Sequence, residues 1–185
     1  MRVAFIIYDE MTALDFIGVY DPVTRLRTMN FQTDLAWDVC ALTDEVHDNT
    51  GLRFTPTHVG GPLHDYDMVV VPGGFGSRKL IRDATFIDWL RTARSCRIKA
   101  SVCTGALLLG AAGFLEGKKA TTHPGVLNEL GPFCAAVSTE RIVEDGDTIT
   151  AGGVTASIDL GLYLCRKLAG ADVAEKIRQQ MDYRR

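Results

Sequence analysis

At 185 residues the chain is long enough for one domain with a sizeable core, and its 46% apolar and 23% charged residues are an ordinary globular balance. A formal net charge of −3 excludes the basic surface that electrostatic binding to nucleic acid needs. The first apolar run, residues 3–8, stops at Asp9-Glu10, too short for a signal-peptide core or a membrane span, and no other stretch approaches that length.

Residues 2–8 (Arg-Val-Ala-Phe-Ile-Ile-Tyr) suit a central parallel strand covered on both faces. Residues 13–29 follow with helical spacing through Phe16, Val19, Val23, Leu26 and Met29. Placing Pro22 near a helix start puts the beginning of the helix proper close to Val19-Tyr20 and leaves Asp15 in the preceding turn. Residues 35–42 alternate and read as a second strand. Residues 46–56 contain Asp48-Asn49-Thr50-Gly51, a turn signal between two short edge strands.

The apolar residues 68–71 run into Pro72-Gly73-Gly74-Phe75-Gly76, where clustered glycines leave backbone N–H groups free to approach a ligand, or simply make a flexible turn. Residues 83–94 read as a helix, residues 98–102 as a strand, and residues 107–112 as a helix ended by Gly113. A short strand over 119–122 leads to His123-Pro124 and a short helix through Leu130. Residues 141–145 and 148–151 make a hairpin across Asp145-Gly146-Asp147. Helices over 154–168 and 171–181 complete the chain, with Arg184-Arg185 as a tail. There is no internal repeat, no low-complexity linker and no break that defines a second domain.

Strands alternating with helices argue for a single-domain α/β/α sandwich, flavodoxin-like, with a mostly parallel sheet. In such sheets ligands bind beyond the carboxyl ends of the strands. Asp15, Gly73-Gly74 and Cys103 each follow a strand at that end, so three strand ends converge on one edge.

Cys103 sits in Ser101-Val102-Cys103-Thr104-Gly105, between the apolar strand and Ala106-Leu107-Leu108-Leu109. Small residues two positions to either side are what a thiol version of a nucleophile elbow needs, because large ones would collide in so tight a turn. A helix N-terminus favours negative charge, so the thiol pKa is expected to fall there, with the proton of the pair retained on Asp15. A buried core cysteine and a helix-capping aspartate are the plainer readings of the same two residues. The five cysteines (Cys40, Cys96, Cys103, Cys134 and Cys165) are odd in number and form no Cys-x-x-Cys pair. They therefore read as reduced thiols of a cytoplasmic protein, with neither a disulfide frame nor a zinc site.

With Val69-Val70-Val71-Pro72-Gly73-Gly74, Ser101-Val102-Cys103-Thr104-Gly105, Ala120-Thr121-Thr122-His123-Pro124 and Thr150-Ala151-Gly152-Gly153 in place, the chain resembles the ThiJ/PfpI family of the class I glutamine amidotransferase-like superfamily over nearly its whole length. Leu14-Asp15-Phe16-Ile17-Gly18 matches that family's acidic position, and the combination with Cys103-Thr104-Gly105 is most similar to isonitrile hydratases. The resemblance implies a cofactor-free, metal-free homodimer acting on a small-molecule substrate, with no nucleic-acid or membrane partner. Cys103 and Asp15 would add water to an isonitrile, giving an N-substituted formamide through a thioimidate. Gly73, Gly74 and Thr104 are the expected oxyanion and substrate-binding positions, with backbone N–H groups of Gly74 and Thr104 as the donors. Similar sensor domains of transcription regulators carry a DNA-binding segment after this domain, which is not expected here because the sequence given ends soon after the last predicted helix.

Members with protease or amidase activity carry His directly after the cysteine, where this chain has Thr104, and no His follows His123, so peptide hydrolysis is not expected. His123 is either a hydrogen-bonded packing residue, the reading favoured for a His before Pro at a helix start, or an accessory catalytic group. Two alternatives stay open: a glyoxalase or deglycase acting on reactive carbonyls through Cys103, His123 and Asp15, and a non-enzymatic redox sensor oxidised at Cys103.

Overall fold

The computed structural model describes residues 1–184; Arg185 of the expected tail lies outside the described residues. Strand β1 (Arg2–Ile6) leads to helix α1 (Ala13–Thr28) and strand β2 (Ala36–Ala41). Short strands β3 (Val46–His47), β4 (Arg53–Phe54) and β5 (His58–Val59) precede β6 (Met68–Val71). Helices α2 (Ser77–Leu80) and α3 (Ala84–Arg91) bring the chain to β7 (Ile98–Val102) and helix α4 (Gly105–Ala111). Beyond β8 (Lys119–Ala120), α5 (Leu127–Leu130) and β9 (Ala136–Val137), strands β10 (Ile142–Asp145) and β11 (Thr148–Ala151) form the expected hairpin. Helices α6 (Ala156–Ala169) and α7 (Ala171–Gln180) follow.

Seven strands make the main sheet in the order β10-β11-β7-β6-β1-β2-β5, parallel throughout except for β10 against β11. Helices α1, α6 and α7 pack together as one layer, and α2 to α5 form the other through contacts with α4. Because both faces are covered, β6 and β7 are buried at every position, and their apolar residues belong to one continuous core with β1, α1, α4 and α6. The β3–β4 pair is a hairpin apart from the main sheet, and β8 pairs with β9 in another small sheet. These two small pairs account for the short strands expected over residues 46–56 and 119–122.

The expected start of the first helix needs correction. Helix α1 begins at Ala13, so Asp15 lies in its first turn and Pro22 falls inside it. An internal proline removes the hydrogen bond to the carbonyl four residues back and crowds it. Here that carbonyl belongs to Gly18, and α6 is shaped to the spot: a β-carbon at Gly161 would lie 2.6 Å from Pro22 Cγ and 3.0 Å from the Gly18 oxygen. The tertiary fit therefore carries the helix through the proline.

Gly18 itself faces Ser157 of α6. A β-carbon there would stand 2.0 Å from Ser157 Oγ and 2.7 Å from its Cβ, and the hydroxyl is tied to the Val154 carbonyl at 2.8 Å. In an isolated helix Gly18→Ala would gain about 1 kcal/mol of propensity. Forcing α1 and α6 apart costs about 1–3 kcal/mol. Gly18→Ala is expected to lower the urea midpoint of unfolding, against the direction that helix propensity alone gives, and a raised midpoint would show that α1 and α6 are not in tight contact.

Candidate active site

Strand β7 turns into α4 at Cys103, which holds φ of 53°, left-handed backbone that a residue with a β-carbon seldom adopts. Surrounding bonds impose it. The Cys103 N–H is shared between the carbonyls of Ala151 and Gly152 at 3.0 and 3.1 Å, and the Thr122 hydroxyl donates to the Cys103 carbonyl at 2.7 Å. Two residues on, a β-carbon at Gly105 would fall 2.3 Å from the Val71 carbonyl oxygen, so the turn is tight enough to exclude any side chain there. The strand-to-helix elbow expected from the sequence is thus the geometry observed, and it brings the sulfur to a cleft while leaving Cys103 only 6% exposed.

Asp15 is fully buried. One carboxyl oxygen, Oδ2, accepts the Gly73 N–H at 3.1 Å; the other, Oδ1, has no partner of good hydrogen-bond geometry among the described residues. This carboxyl does not cap its own helix: Thr12 is the N-cap residue, and the Asp15 side chain reaches across to the loop after β6. Its interaction with Cys103 is mutual. Burial raises the Asp15 pKa to about 7, opposed by the Gly73 N–H and by the Cys103 thiol. Burial also pushes the Cys103 thiol up to about 12, the Asp15 charge adds to the rise, and the Thr104 N–H opposes it. Tyr8, buried nearby with its hydroxyl donating to the Pro72 carbonyl at 2.8 Å, is raised as well, by burial and then by the charges of Asp15 and Cys103.

The thiol is thus raised where a fall was expected: burial and the neighbouring carboxyl outweigh the start of a short helix, and burial raises the carboxyl as well. Of the expected donor pair, Gly74 and Thr104, the Gly74 N–H is not free. The Gly73 N–H is given to Asp15, and the Gly74 N–H to the Thr104 hydroxyl at 2.9 Å, which in turn donates to the Gly74 carbonyl at 3.1 Å. Of the three positions, only Thr104 turns its N–H toward the sulfur.

The cleft encloses about 450 Å³, and Cys103, Thr104, Gly74 and His123 all line it. His123 closes one side: a β-carbon at Gly153 would stand 2.6 Å from His123 Cδ2 and 2.9 Å from Cys103 Sγ. Its Nδ1 accepts the Gly125 N–H at 3.0 Å, which orients the ring by the turn that follows it. Thr12, Asn49, Phe75, Arg78, Gly125, Val126 and Val154 complete the lining and were not singled out from the sequence. They come from five separate loops and helix starts, and only Asn49, inside the Asp48-Asn49-Thr50-Gly51 turn, and Phe75, inside the glycine cluster, carried a local signal. Among the described residues no group of three or more His, Cys, Asp or Glu side chains could hold a metal ion. Among the described residues no helix is long and apolar enough to cross a membrane.

The buried carboxyl has a stability consequence. At pH below about 4 both folded and unfolded chains hold the Asp15 proton. Between about 4 and 7 only the folded chain does, so stability falls as pH rises through this window and the slope ends above it. Asp15→Asn removes that loss, and its stability relative to the unmutated chain is expected to grow across the window by up to about 4 kcal/mol. Urea unfolding of both proteins over a pH series measures it; a constant difference would mean that Asp15 titrates normally.

The family model described as the DJ-1/PfpI family matches residues 1–167. An isonitrile hydratase of Pseudomonas putida is 37% identical over 186 residues, covering 99% of this chain and 78% of that protein. Protein DJ-1alpha of Drosophila melanogaster is 31% identical over 119 residues, covering 63% of this chain and 55% of that one. A crystal structure of a ThiJ/PfpI family protein from Pseudomonas syringae superposes with a TM-score of 0.90 at 30% identity, covering all of this chain and 75% of its own. A cysteine elbow at the edge of a parallel sheet and similarity along nearly the full length lead to the same conclusion: the chain belongs to the DJ-1/PfpI family.

Proposed function

We propose that the protein is an isonitrile hydratase that converts an isonitrile and water to an N-substituted formamide, with Cys103 as nucleophile and Asp15 as the proton-transfer group. The observation that carries this reading is the juxtaposition of an elbow thiol with a fully buried carboxyl that ionises near neutral pH. Similarity to the Pseudomonas putida enzyme over almost the whole chain supports the choice of substrate. The reaction calls for such a pair, because a proton must first leave sulfur and then reach carbon.

In the first step ionised Asp15 takes the Cys103 proton as the sulfur adds to the terminal isonitrile carbon. The carbon lone pair then takes that proton from Asp15, which leaves a neutral thioimidate with a C–H bond and a carboxylate again. Asp15 next removes a proton from water as the oxygen adds to the same carbon. That proton passes to nitrogen. Collapse of the adduct breaks the C–S bond, the hydroxyl proton returns to sulfur, and the formamide leaves. The Thr104 N–H supports negative charge on sulfur during attack and departure, and Gly73 holds the carboxyl in place. His123 is assigned to the cleft wall, since its Nδ1 is committed to the Gly125 turn.

The enzyme is also proposed to work as a homodimer. Leu14 and Ile17, one helical turn apart on α1, are each 41% exposed, which suits a face covered by a second copy. Sedimentation at micromolar concentration tests this, and a monomer there would remove the dimer while leaving the chemistry intact.

Activity is tested by hydration of one aryl and one alkyl isonitrile. Cys103→Ala is expected to abolish turnover. Asp15→Asn is expected to lower it by about 10²-fold or more, the scale of a lost acid–base group. The same substitution removes the negative charge that raises the thiol, so the pH midpoint for Cys103 alkylation is expected to move down. Hydration and alkylation at a fixed pH therefore change in opposite directions. An Asp15→Asn enzyme hydrating at the unmutated rate would sink the proton-transfer role.

A further inference from the structure

Arg78 is the only permanently charged side chain among the described residues lining the cleft. Its partner, Glu129 of α5, lies outside that lining. The guanidinium meets Glu129 along one edge: Nε donates to Oε2 at 3.1 Å and Nη2 to Oε1 at 3.0 Å. A guanidinium is planar and carries five N–H donors, so a second edge, made by Nη1 and the remaining Nη2 proton, offers another parallel pair. That edge makes no hydrogen bond or ion pair among the described residues. Glu129 thus holds one edge of the group and leaves the other edge of this cleft-lining residue without a partner among the described residues.

Phe75 precedes Arg78 by three residues in the turn that leads into α2, with the Arg78 N–H donating to the Phe75 carbonyl at 3.3 Å. Its ring is 66% exposed, more than any other large apolar side chain described, and it lines the same cleft. An aromatic face and a guanidinium edge, side by side and facing one cavity, match a ligand that is flat and apolar near the reacting carbon and anionic at its far end.

We propose that Phe75 and Arg78 form the subsite for the substrate's substituent, and that the preferred substrate class is an aryl isonitrile bearing a carboxylate. The reacting group rests on the hydratase reading; the substituent is read from this wall alone. Glu129 cancels the charge of Arg78 at long range, so selectivity comes from contact with the free edge. Because Arg78 and Glu129 are both partly exposed, with side-chain exposures of 39% and 45%, the effect is modest, about three- to tenfold.

The test separates this subsite from the hydratase reading by using Cys103 alkylation. para-(Iodoacetamido)benzoate and para-(iodoacetamido)benzamide carry the same electrophile and ring and differ in terminal charge. Their rate constants at Cys103 are measured by peptide mapping at one mildly alkaline pH. The unmutated protein is expected to favour the benzoate by about three- to tenfold, and added salt to reduce the ratio. Arg78→Met is expected to bring it to about one, and Arg78→Lys to keep part of it, since charge remains without the fork. Glu129→Gln removes the competing carboxylate and is expected to raise it. Equal rates for both reagents in the unmutated protein, or a ratio that survives Arg78→Met, overturns the subsite. Should Arg78→Met not fold, the Glu129→Gln and Arg78→Lys ratios decide, and no change in either overturns it. In parallel, para-isocyanobenzoate and para-isocyanobenzamide are assayed for hydration. Hydration of neither would end the hydratase reading, while the labelling ratio would still decide the role of Arg78.

Discussion

Cys103 is held at a positive φ that costs an L-residue about 1–2 kcal/mol, and much of the surrounding chain is arranged to maintain it. The N–H is caught by the end of β11, the carbonyl by Thr122, and Gly105 gives way to the backbone after β6. Each of these contacts comes from a different part of the sequence, so the elbow exists only in the folded sheet. The reward is directional: a side chain at that backbone angle leaves the strand end and meets the cleft, whereas an ordinary helical or extended φ would return it to the core.

Placing the sulfur there also places it next to a buried acid, and the two groups restrain each other. Two negative charges in so dry a space are unfavourable, so the pair holds one proton over a wide pH range. The Gly73 N–H is what lets the carboxyl compete for ionisation at all, because without a donor a buried carboxylate has nothing to replace its lost water. The Gly73 N–H therefore serves the acid, while Gly74 and Phe75 of the same loop line the cleft.

Much of this was legible beforehand, for reasons that can be located. The β-branched run at Met68–Val71 reads as a buried parallel strand, Ile98–Val102 as a second ahead of a good helix former, and a cysteine with Ser101 and Gly105 two residues to either side marks a tight turn. The start of α1 was misplaced because Pro22 was weighed by local rules, while the fit of Gly161 against it is a property of a helix about 140 residues further on. Ionisation was misjudged for a related reason. A helix start is visible in sequence, but the depth of Asp15 and the engagement of the Gly73 and Gly74 N–H groups are tertiary quantities. Arg78, Val126 and Val154 had no motif to mark them as cleft residues, and the turn signal around Asn49 said nothing of a ligand, since cleft walls built from loops leave no regular trace.

The close approach of α1 to α6 reaches further than packing. Gly18 lies three residues beyond Asp15, and the Ser157 hydroxyl that it rests on is bonded to the carbonyl of Val154, part of the cleft wall. The starts of the two helices thus behave as a single strut, with the acid at one tip and the rim of the cleft at the other. Widening the strut by one methyl group would move both tips relative to a sulfur that is anchored independently by the sheet. The distance over which a proton must pass is therefore set by a glycine that touches neither substrate nor sulfur, and the fold uses an absent side chain as its gauge.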